Sequence, residues 1–176
     1  MGILKKIMIG ITCLIILALI TAYIAARIIF RLDYFDIIQA NAAEHDVSPL
    51  LIASIIKAES GFNSTAVSHR GAIGLMQVMP ATGEWSAERM GLESFETSQL
   101  FTPETNIQIG TWYFASYLMT RFDGNLVHAL AAYNAGPTNA ERWDWNEEIP
   151  FPETRFYVQR VQQFYRIYRF LYPRYR

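Results

Sequence analysis

The stretch SPLLIASIIKAESG, residues 48–61, predicts a buried helix that ends in a single carboxylate. Ser48 is a favourable N-cap, Pro49 suits the first helical position, and Gly61 stops the helix. The residues between them are almost all apolar, as in a helix that lies in a protein core. A charge on Glu59 is unfavourable there, because burial disfavours the ionised form of a carboxyl group. An enzyme that needs a protonated acid near neutral pH would use such a position.

The chain on both sides of this helix carries strong helix signals and weak strand signals. Pro103 follows Thr102 as Pro49 follows Ser48, and Asn125 is placed to cap a helix. No repeat, low-complexity tract or Pro/Ser-rich linker interrupts this part, so we expect one compact, mainly α domain with a cleft. The predicted helices are Tyr34–Glu44, Leu50–Glu59, Thr102 to about Phe122, Leu126–Ala132 and Pro152 to about Leu171.

The segment that follows the first predicted core helix lacks this regularity. Ser68–Gly74 contains two glycines three residues apart, which predicts an irregular loop. Leu75–Met79 is short and apolar, and is either a strand-like segment or one turn of helix. Glu84 is expected in a loop, because it follows the sequence Pro-Ala-Thr-Gly.

A run of 20 uncharged residues, Ile7–Ala26, predicts a membrane-spanning helix. At about 1.5 Å per residue it crosses a hydrocarbon core of about 30 Å, and the charged residues on both sides argue against a buried soluble helix. A cleavable signal peptide is the alternative, but its apolar region would be about 7–15 residues and would end in Ala-x-Ala spacing, which is missing here. The predicted organisation is a short N-terminal segment (1–6), an anchor (7–26), a juxtamembrane linker (27–32) and a catalytic domain (33–176).

The positive-inside rule does not orient this predicted anchor. Two lysines, Lys5 and Lys6, precede the run, and two arginines, Arg27 and Arg31, follow it. The orientation that we expect, with the domain outside, therefore depends on the function and not on loop charge.

Charge is distributed unevenly along the chain, whose net charge is −1. From Asp33 onward there are 11 Lys/Arg and 16 Asp/Glu, a net charge of −5, which argues against nucleic-acid binding. From Arg155 to the end, however, there are six arginines and no acid. These arginines form either a solvated face whose stems cover apolar surface, or a surface for anionic lipid headgroups or acidic wall polymer.

The residue types that usually bind metal ions are not arranged as a site. Cys13 is the only cysteine and lies in the apolar run, so neither an intrachain disulfide nor a cysteine metal site is possible. His45, His69 and His128 are scattered, without the spacing of metal ligands. We expect no metal and no cofactor.

Several polar positions outside the core helix have both a functional and a purely structural interpretation. Gln77 lies between two apolar residues, where an amide indicates a hydrogen-bonding position in a cleft or simply a surface glutamine. Tyr133 and Asn134 lie at a predicted helix end, which is also an ordinary place for a helix to stop. Glu153 begins the last helix, where an acid is favoured by the helix dipole.

Together these segments resemble the lytic transglycosylases, in the family typified by the catalytic domain of soluble lytic transglycosylase. The similarity covers about Asp33–Tyr168, and four motifs in the family's order are far more specific than any one of them. The apolar N-terminal run lies outside it. The resemblance implies a lysozyme-like fold. The matching motifs are Ala58–Phe62 (AESGF), Ala66–Ala72 (AVSHRGA), Gly74–Pro80 (GLMQVMP) and Ala132–Pro137 (AYNAGP), with Ile149–Phe151, Glu153–Arg155 and Tyr157–Val158 at the end.

The resemblance also implies a role for six residues. Glu59 occupies the position of the catalytic acid. The other five correspond to positions that contact the sugar or orient the acid, with Met79 at a sugar subsite and Glu153 near the N-acetyl group. These five substrate-binding candidates are Ser68, Gln77, Met79, Tyr133 and Glu153.

The reaction that the resemblance implies is non-hydrolytic cleavage of the β-1,4 bond between N-acetylmuramic acid and N-acetylglucosamine, leaving a 1,6-anhydromuramoyl end. Glu59 would act first as acid and then as base. The implied partner is a peptidoglycan glycan strand, with the domain on the wall-facing side of a bacterial cell membrane; we expect a single-pass monomer. The alternatives are a goose-type lysozyme-like hydrolase, which uses water, and a non-catalytic peptidoglycan-binding protein.

Overall fold

A computed structural model describes residues 2–175 of the chain. The chain divides into two compact units, with the boundary between Leu32 and Asp33. The units are described separately below.

The first unit is a single long helix, α1, which covers Ile3–Ile29. It buries none of its side chains, although nearly all of them are apolar. Its length and composition are sufficient for crossing a membrane, and a signal sequence at an N-terminus has the same character. A fully exposed apolar helix is unfavourable in water, so α1 needs an apolar environment.

The second unit is built from helices and loops. Its described residues form no β-sheet; Ile73 alone makes two isolated bridges, to Val67 and Val78. The mainly α fold class that the helix signals predict is therefore confirmed. The helices are α2 (Phe35–Glu44), α3 (Pro49–Glu59), α4 (Pro80–Met90), a 3₁₀ turn (Thr97–Phe101), α5 (Pro103–Thr111) with a π-helical continuation (Trp112–Met119), α6 (Leu126–Ala135), α7 (Pro137–Ala140), α8 (Pro152–Leu171) and a terminal 3₁₀ turn (Pro173–Tyr175).

Helix α3 is the centre of the core, as its sequence predicts. Every residue from Leu50 to Ile56 is buried, and the helix packs against α8 and α2. Each fully buried Leu or Ile side chain contributes about 1.5–3 kcal/mol through the hydrophobic effect. From α8, the side chains of Tyr157, Val161 and Tyr168 are buried, which is the helical spacing expected of a core-facing stripe. This packing fixes the C-terminal end of α3, and with it Glu59.

Two local expectations are wrong. Glu84 does not lie in a loop, because Pro80 opens α4 and Gly91, in the left-handed conformation, ends it. Gly83 looks like a loop residue in the sequence, but it is buried inside α4, where a Cβ would lie 3.2–3.3 Å from the side chains of Leu100 and Phe95. Ser48 precedes α3 as expected, but its side chain makes no capping hydrogen bond; its carbonyl oxygen accepts from the Leu51 N–H at 2.9 Å.

Candidate active site

Glu59 is the last residue of α3, and its carboxyl group is largely surrounded by protein although the residue keeps some contact with solvent. Burial raises the pKa of Glu59 from 4.5 to about 7. This cause outweighs two opposing ones, a hydrogen-bonding interaction with Tyr157 and the positive charge of Arg160. A carboxyl group with a pKa near 7 exchanges its proton at neutral pH, as a general acid or base must.

Helix α8 supplies the groups that face Glu59 from one side. Tyr157 is only 1% exposed, and its hydroxyl has no hydrogen-bond partner of normal geometry among the described residues. It is nevertheless near enough to Glu59 for the two groups to change each other's pKa. Arg160 follows three residues later and acts on Glu59 through its charge. Glu153, four residues before Tyr157, lies on the same side of α8 and is exposed.

Tyr133, near the end of α6, faces Glu59 from another direction. Burial raises the pKa of its phenol well above 10, and the negative charge of Glu59 raises it further. The Tyr133 hydroxyl donates a hydrogen bond to the Met76 carbonyl oxygen at 2.7 Å. This bond fixes the phenol in its neutral form beside the carboxyl group.

The loop formed by residues 60–79, here called the cleft loop, is held at both ends by side-chain hydrogen bonds. Ser60, next to Glu59, donates from its hydroxyl to the Leu75 carbonyl oxygen at 2.8 Å. Asn106 of α5 is fully buried and makes three bonds to the backbone. It accepts from the Met76 N–H at 2.8 Å and donates to the carbonyl oxygens of Ile73 (2.9 Å) and Leu100 (2.7 Å).

Gln77 has a structural task within the cleft loop. Its backbone φ is 48°, in the left-handed region, and its amide Nε2 donates to the carbonyl oxygens of Gly74 at 2.9 Å and Ala66 at 3.2 Å. These two acceptors fix which side of the amide is nitrogen. The amide oxygen is then the remaining group that could accept a hydrogen bond from a ligand.

Ser68 and Met79 lie at other points of the cleft loop. The Ser68 hydroxyl oxygen accepts from the Ala72 N–H at 2.9 Å, which leaves its own O–H as a donor. Met79 directly precedes α4 and is 41% exposed, so its apolar side chain is accessible to a ligand. The structure thus brings Tyr133 next to Glu59, and places Ser68, Gln77 and Met79 on one hydrogen-bonded loop that starts from Glu59.

Among the described residues, no carboxylate contributes to the pKa shift of Glu59. The interactions that set its pKa there involve a tyrosine and an arginine but no acid. Glu84 lies exposed on α4, where its carboxylate accepts from the Thr97 hydroxyl at 3.0 Å. Most glycosidases need two carboxylates within about 5–10 Å. The geometry therefore fits a reaction in which one carboxyl group acts twice.

Sequence reasoning missed three residues of this site as individual contributors. Tyr157 lies within a matching motif, but its spacing of two residues from Arg155 gives no sign that it faces Glu59. In the sequence, Arg160 is one of six arginines near the C-terminus, with nothing that links it to the acid. Asn106 is a polar residue at a core-facing position of α5, which is a usable signal because buried amides are hydrogen-bonded.

Comparison with known proteins gives the same family as the motifs. The family model "Transglycosylase SLT domain" matches residues 36–150. Soluble lytic murein transglycosylase of Salmonella typhimurium is 37% identical over 152 residues, which is 80% of this chain and 23% of the relative. Membrane-bound lytic murein transglycosylase C of Actinobacillus pleuropneumoniae is 36% identical over 112 residues, 59% of this chain and 31% of the relative.

Among solved structures, an inactive mutant of lytic transglycosylase Slt from Pseudomonas aeruginosa matches with a TM-score of 0.76 and 35% identity. The match covers 81% of this chain and 25% of that chain, and it agrees with the lysozyme-like fold. The chain thus spans about a quarter of the length of these relatives. By the family model and by identity over most of its length, this chain belongs to the Transglycosylase SLT domain family.

Proposed function

We propose that this chain is a membrane-anchored lytic transglycosylase that cleaves the β-1,4 bond between N-acetylmuramic acid and N-acetylglucosamine in peptidoglycan. The observation that carries the proposal is the Glu59 carboxyl group, whose pKa is raised to about 7 by burial, with no carboxylate among the described residues contributing to the shift. Membership of the transglycosylase family supports the substrate. The P. aeruginosa relative, inactive with a glutamate replaced by glutamine, supports dependence on a glutamate.

In the first step, protonated Glu59 gives its proton to the glycosidic oxygen while the bond from that oxygen to C1 of the muramic sugar breaks. The substrate's own N-acetyl oxygen stabilises the positive charge at C1. Burial keeps Glu59 protonated up to neutral pH, so that its proton is available, while the buried phenols of Tyr133 and Tyr157 stay neutral.

In the second step, the now ionised Glu59 takes the proton from the 6-hydroxyl group of the same muramic sugar. The 6-oxygen attacks C1 and closes the 1,6-anhydro ring, so that no water is consumed and Glu59 is again protonated. An intramolecular nucleophile needs no second carboxylate to position it, because proximity within the sugar supplies the orientation. Arg160 stabilises the ionised carboxylate between the steps.

Of the five remaining predicted residues, four are proposed to hold the glycan and the fifth, Tyr133, to position the acid. Ser68 offers a hydroxyl donor and Gln77 an amide oxygen, both on the cleft loop. Met79 offers an exposed apolar side chain for a sugar face, and Glu153 an exposed carboxylate for an N-acetyl N–H. Tyr133 orients the acid and bonds the loop.

The proposed location is the wall-facing side of a bacterial cell membrane, with α1 as the single uncleaved anchor. The exposed apolar surface of α1 supports anchoring, and the orientation follows from the substrate, which lies outside the membrane. A membrane-bound relative exists in the same family. Mass spectrometry of the chain extracted from membranes tests whether α1 is cleaved off, and we expect an intact N-terminus. Protease digestion of spheroplasts tests the orientation, since a domain on the outer side is accessible to the protease.

Product analysis tests the chemistry directly. The full chain, purified in detergent, is incubated with isolated peptidoglycan, and the released muropeptides are weighed by mass spectrometry. We expect 1,6-anhydromuramoyl products, each one water lighter than the corresponding hydrolysis product. Glu59→Gln should release none, while Glu84→Gln, the same change at an exposed carboxylate, should release normal amounts.

Two other outcomes would replace this proposal. Products that carry the additional water would assign the chain to the goose-type hydrolytic reaction. Binding to isolated sacculi without any release would indicate a non-catalytic peptidoglycan-binding protein.

A further inference from the structure

The C-terminal part of α8 presents an exposed surface that the catalytic proposal does not use. Gln163, Arg166, Ile167 and Phe170 are spaced three, four and seven residues from the first, which places them on one side of the helix. Phe170 is 70% exposed, and Gln163 and Arg166 are exposed as well. These four residues, together with exposed Arg174 in the following 3₁₀ turn, are here called the terminal α8 face.

The charge of this face is opposite to that of the unit to which it belongs. From Asp33 onward the net charge is −5, whereas residues 155–176 contain six arginines and no acid. Arg155 is paired with Glu148 and so is not part of the face. The acids at the same end of the unit are Asp33, which acts on the phenol of Tyr168, and exposed Asp36 in α2. The face is therefore a local basic surface with an exposed aromatic ring.

The position of this face in the second unit gives it a particular neighbour. The ring of Phe35, at the start of α2, lies 4.5 Å from the ring of Tyr175 in the terminal 3₁₀ turn. The chain therefore enters the unit beside the C-terminal end of α8. Only residues 30–34 separate the end of α1 from the start of α2, and five residues reach at most about 18 Å. A membrane that holds α1 is thus within reach of this end of α8.

We propose that the terminal α8 face lies against the anionic lipid headgroups of the membrane that holds α1. Arginine near an anionic membrane is attracted to phosphate groups, and an exposed phenylalanine favours the interface between headgroups and acyl chains. A soluble acidic polymer would be attracted by the same arginines, but only a membrane offers Phe170 an apolar layer in which the ring can be buried. The proposal rests on the anchoring proposed above.

Fluorescence of a label on Phe170 tests this contact in the full chain reconstituted into vesicles. In a Cys13→Ser background, Phe170→Cys carries an environment-sensitive fluorophore. Ser98→Cys carries the same label as the control, because it is exposed in the 3₁₀ turn that packs on α4 and α5. Vesicles of phosphatidylcholine are compared with vesicles that also contain phosphatidylglycerol, with and without brominated lipid as a quencher.

We expect the label at position 170 to shift to the blue and to be quenched by brominated lipid in the anionic vesicles, while the label at position 98 does neither. Arg166→Gln and Arg174→Gln should each reduce the bound population about fivefold, because one arginine near an anionic surface contributes about that factor. Both residues are exposed, so the variants should fold normally and keep full activity on soluble glycan fragments.

Three outcomes would overturn the proposal in distinguishable ways. If the chain floats with the vesicles but the label at position 170 behaves like that at position 98, the face does not meet lipid and the anchoring stands. If the chain does not float with the vesicles at all, the anchoring fails and this proposal fails with it. If an added soluble anionic polymer shifts the label in phosphatidylcholine vesicles, the face binds wall polymer instead.

Discussion

The hydroxyl of Tyr133 donates its hydrogen bond to the carbonyl oxygen of Met76, at 2.7 Å, and not to the neighbouring carboxyl group of Glu59. The phenol therefore connects the end of α6 with the cleft loop and keeps its proton away from Glu59. Because Glu59 receives no bond from Tyr133 in this arrangement, burial dominates its pKa. The same tyrosine thus orders the loop and leaves the pKa of Glu59 raised, so that the carboxyl group still holds its proton at neutral pH.

Tyr133→Phe separates these two tasks from folding. We expect turnover of peptidoglycan to fall at least tenfold, because the cleft loop loses its attachment to α6 beside the acid. The loss of one partly buried hydrogen bond should lower the free energy of unfolding by only about 1 kcal/mol. Steady-state kinetics of the purified chain measure the turnover, and urea unfolding measures the free energy of unfolding. An unchanged rate would remove Tyr133 from the site.

Glu59→Gln should make the protein more stable while abolishing its activity. The folded-state pKa of about 7 lies above the unfolded value of 4.5, so the folded state loses stability as pH rises from 4.5 to 7. Because glutamine does not ionise, the Glu59→Gln variant does not lose stability in this pH range. At pH 8 we expect the variant to be about 2–3 kcal/mol more stable than the wild type, with little difference at pH 4.

Denaturant unfolding at both pH values measures this effect. Glu84→Gln is the matched control, since Glu84 is exposed, and it should show no such pH dependence. Equal stability of wild type and Glu59→Gln at pH 8 would contradict the burial of an ionisable acid.

The pH dependence of the reaction should report the same carboxyl group. Since the first step needs protonated Glu59, kcat/KM should fall as pH rises above about 7. Arg160 and Tyr157 both lower the pKa of Glu59, so Arg160→Gln and Tyr157→Phe should move this decline to higher pH. Arg142→Gln, at an exposed arginine on the loop before α8, should leave it in place. A decline that stays fixed in both variants would show that neither group acts on the acid.

Asn106→Ala should destabilise the fold through the cleft loop. The substitution leaves the buried Met76 N–H and Leu100 carbonyl oxygen without a partner, and leaves the Ile73 carbonyl oxygen with only its bond from the Val78 N–H. We expect a loss of about 3 kcal/mol, together with lower activity. Asn139→Ala, which removes an exposed amide bonded to the Ala135 carbonyl oxygen, should change stability by less than about 0.5 kcal/mol. Thermal or urea unfolding compares the two.

Much of the fold follows from local signals in the sequence. Three kinds of signal act within a few residues and can therefore be recognised without the tertiary structure. They are proline at the first position of α3 and α8, the Asn125 cap of α6 and the apolar spacing of α8. Helix α4 was missed for the opposite reason. The glycine at position 83 is unfavourable in an isolated helix, and only the side chains of Leu100 and Phe95 explain it.

The site was predictable where a residue acts through its own position, and less so where it acts through contacts. Glu59 stands out because a carboxylate ends an apolar helix. Asn106 and Tyr157 come from helices far away in the chain, so their contribution depends on how α5 and α8 pack. The apolar neighbours of Gln77 are compatible with a cleft position or a surface glutamine, and the family resemblance favours the cleft. Its backbone conformation and its two bonds to carbonyl oxygens could not be read from those neighbours.

The five-residue connection between α1 and α2 has a consequence for wall architecture under the proposed anchoring. It limits the working radius of the enzyme, because the catalytic unit cannot move away from the membrane by more than its own size and this short tether. Glycan strands in deeper layers of a thick wall stay out of reach, whatever their chemistry. Among chemically identical glycosidic bonds, the distance from the membrane would then decide which are cut, and only the layer nearest the membrane would be cut.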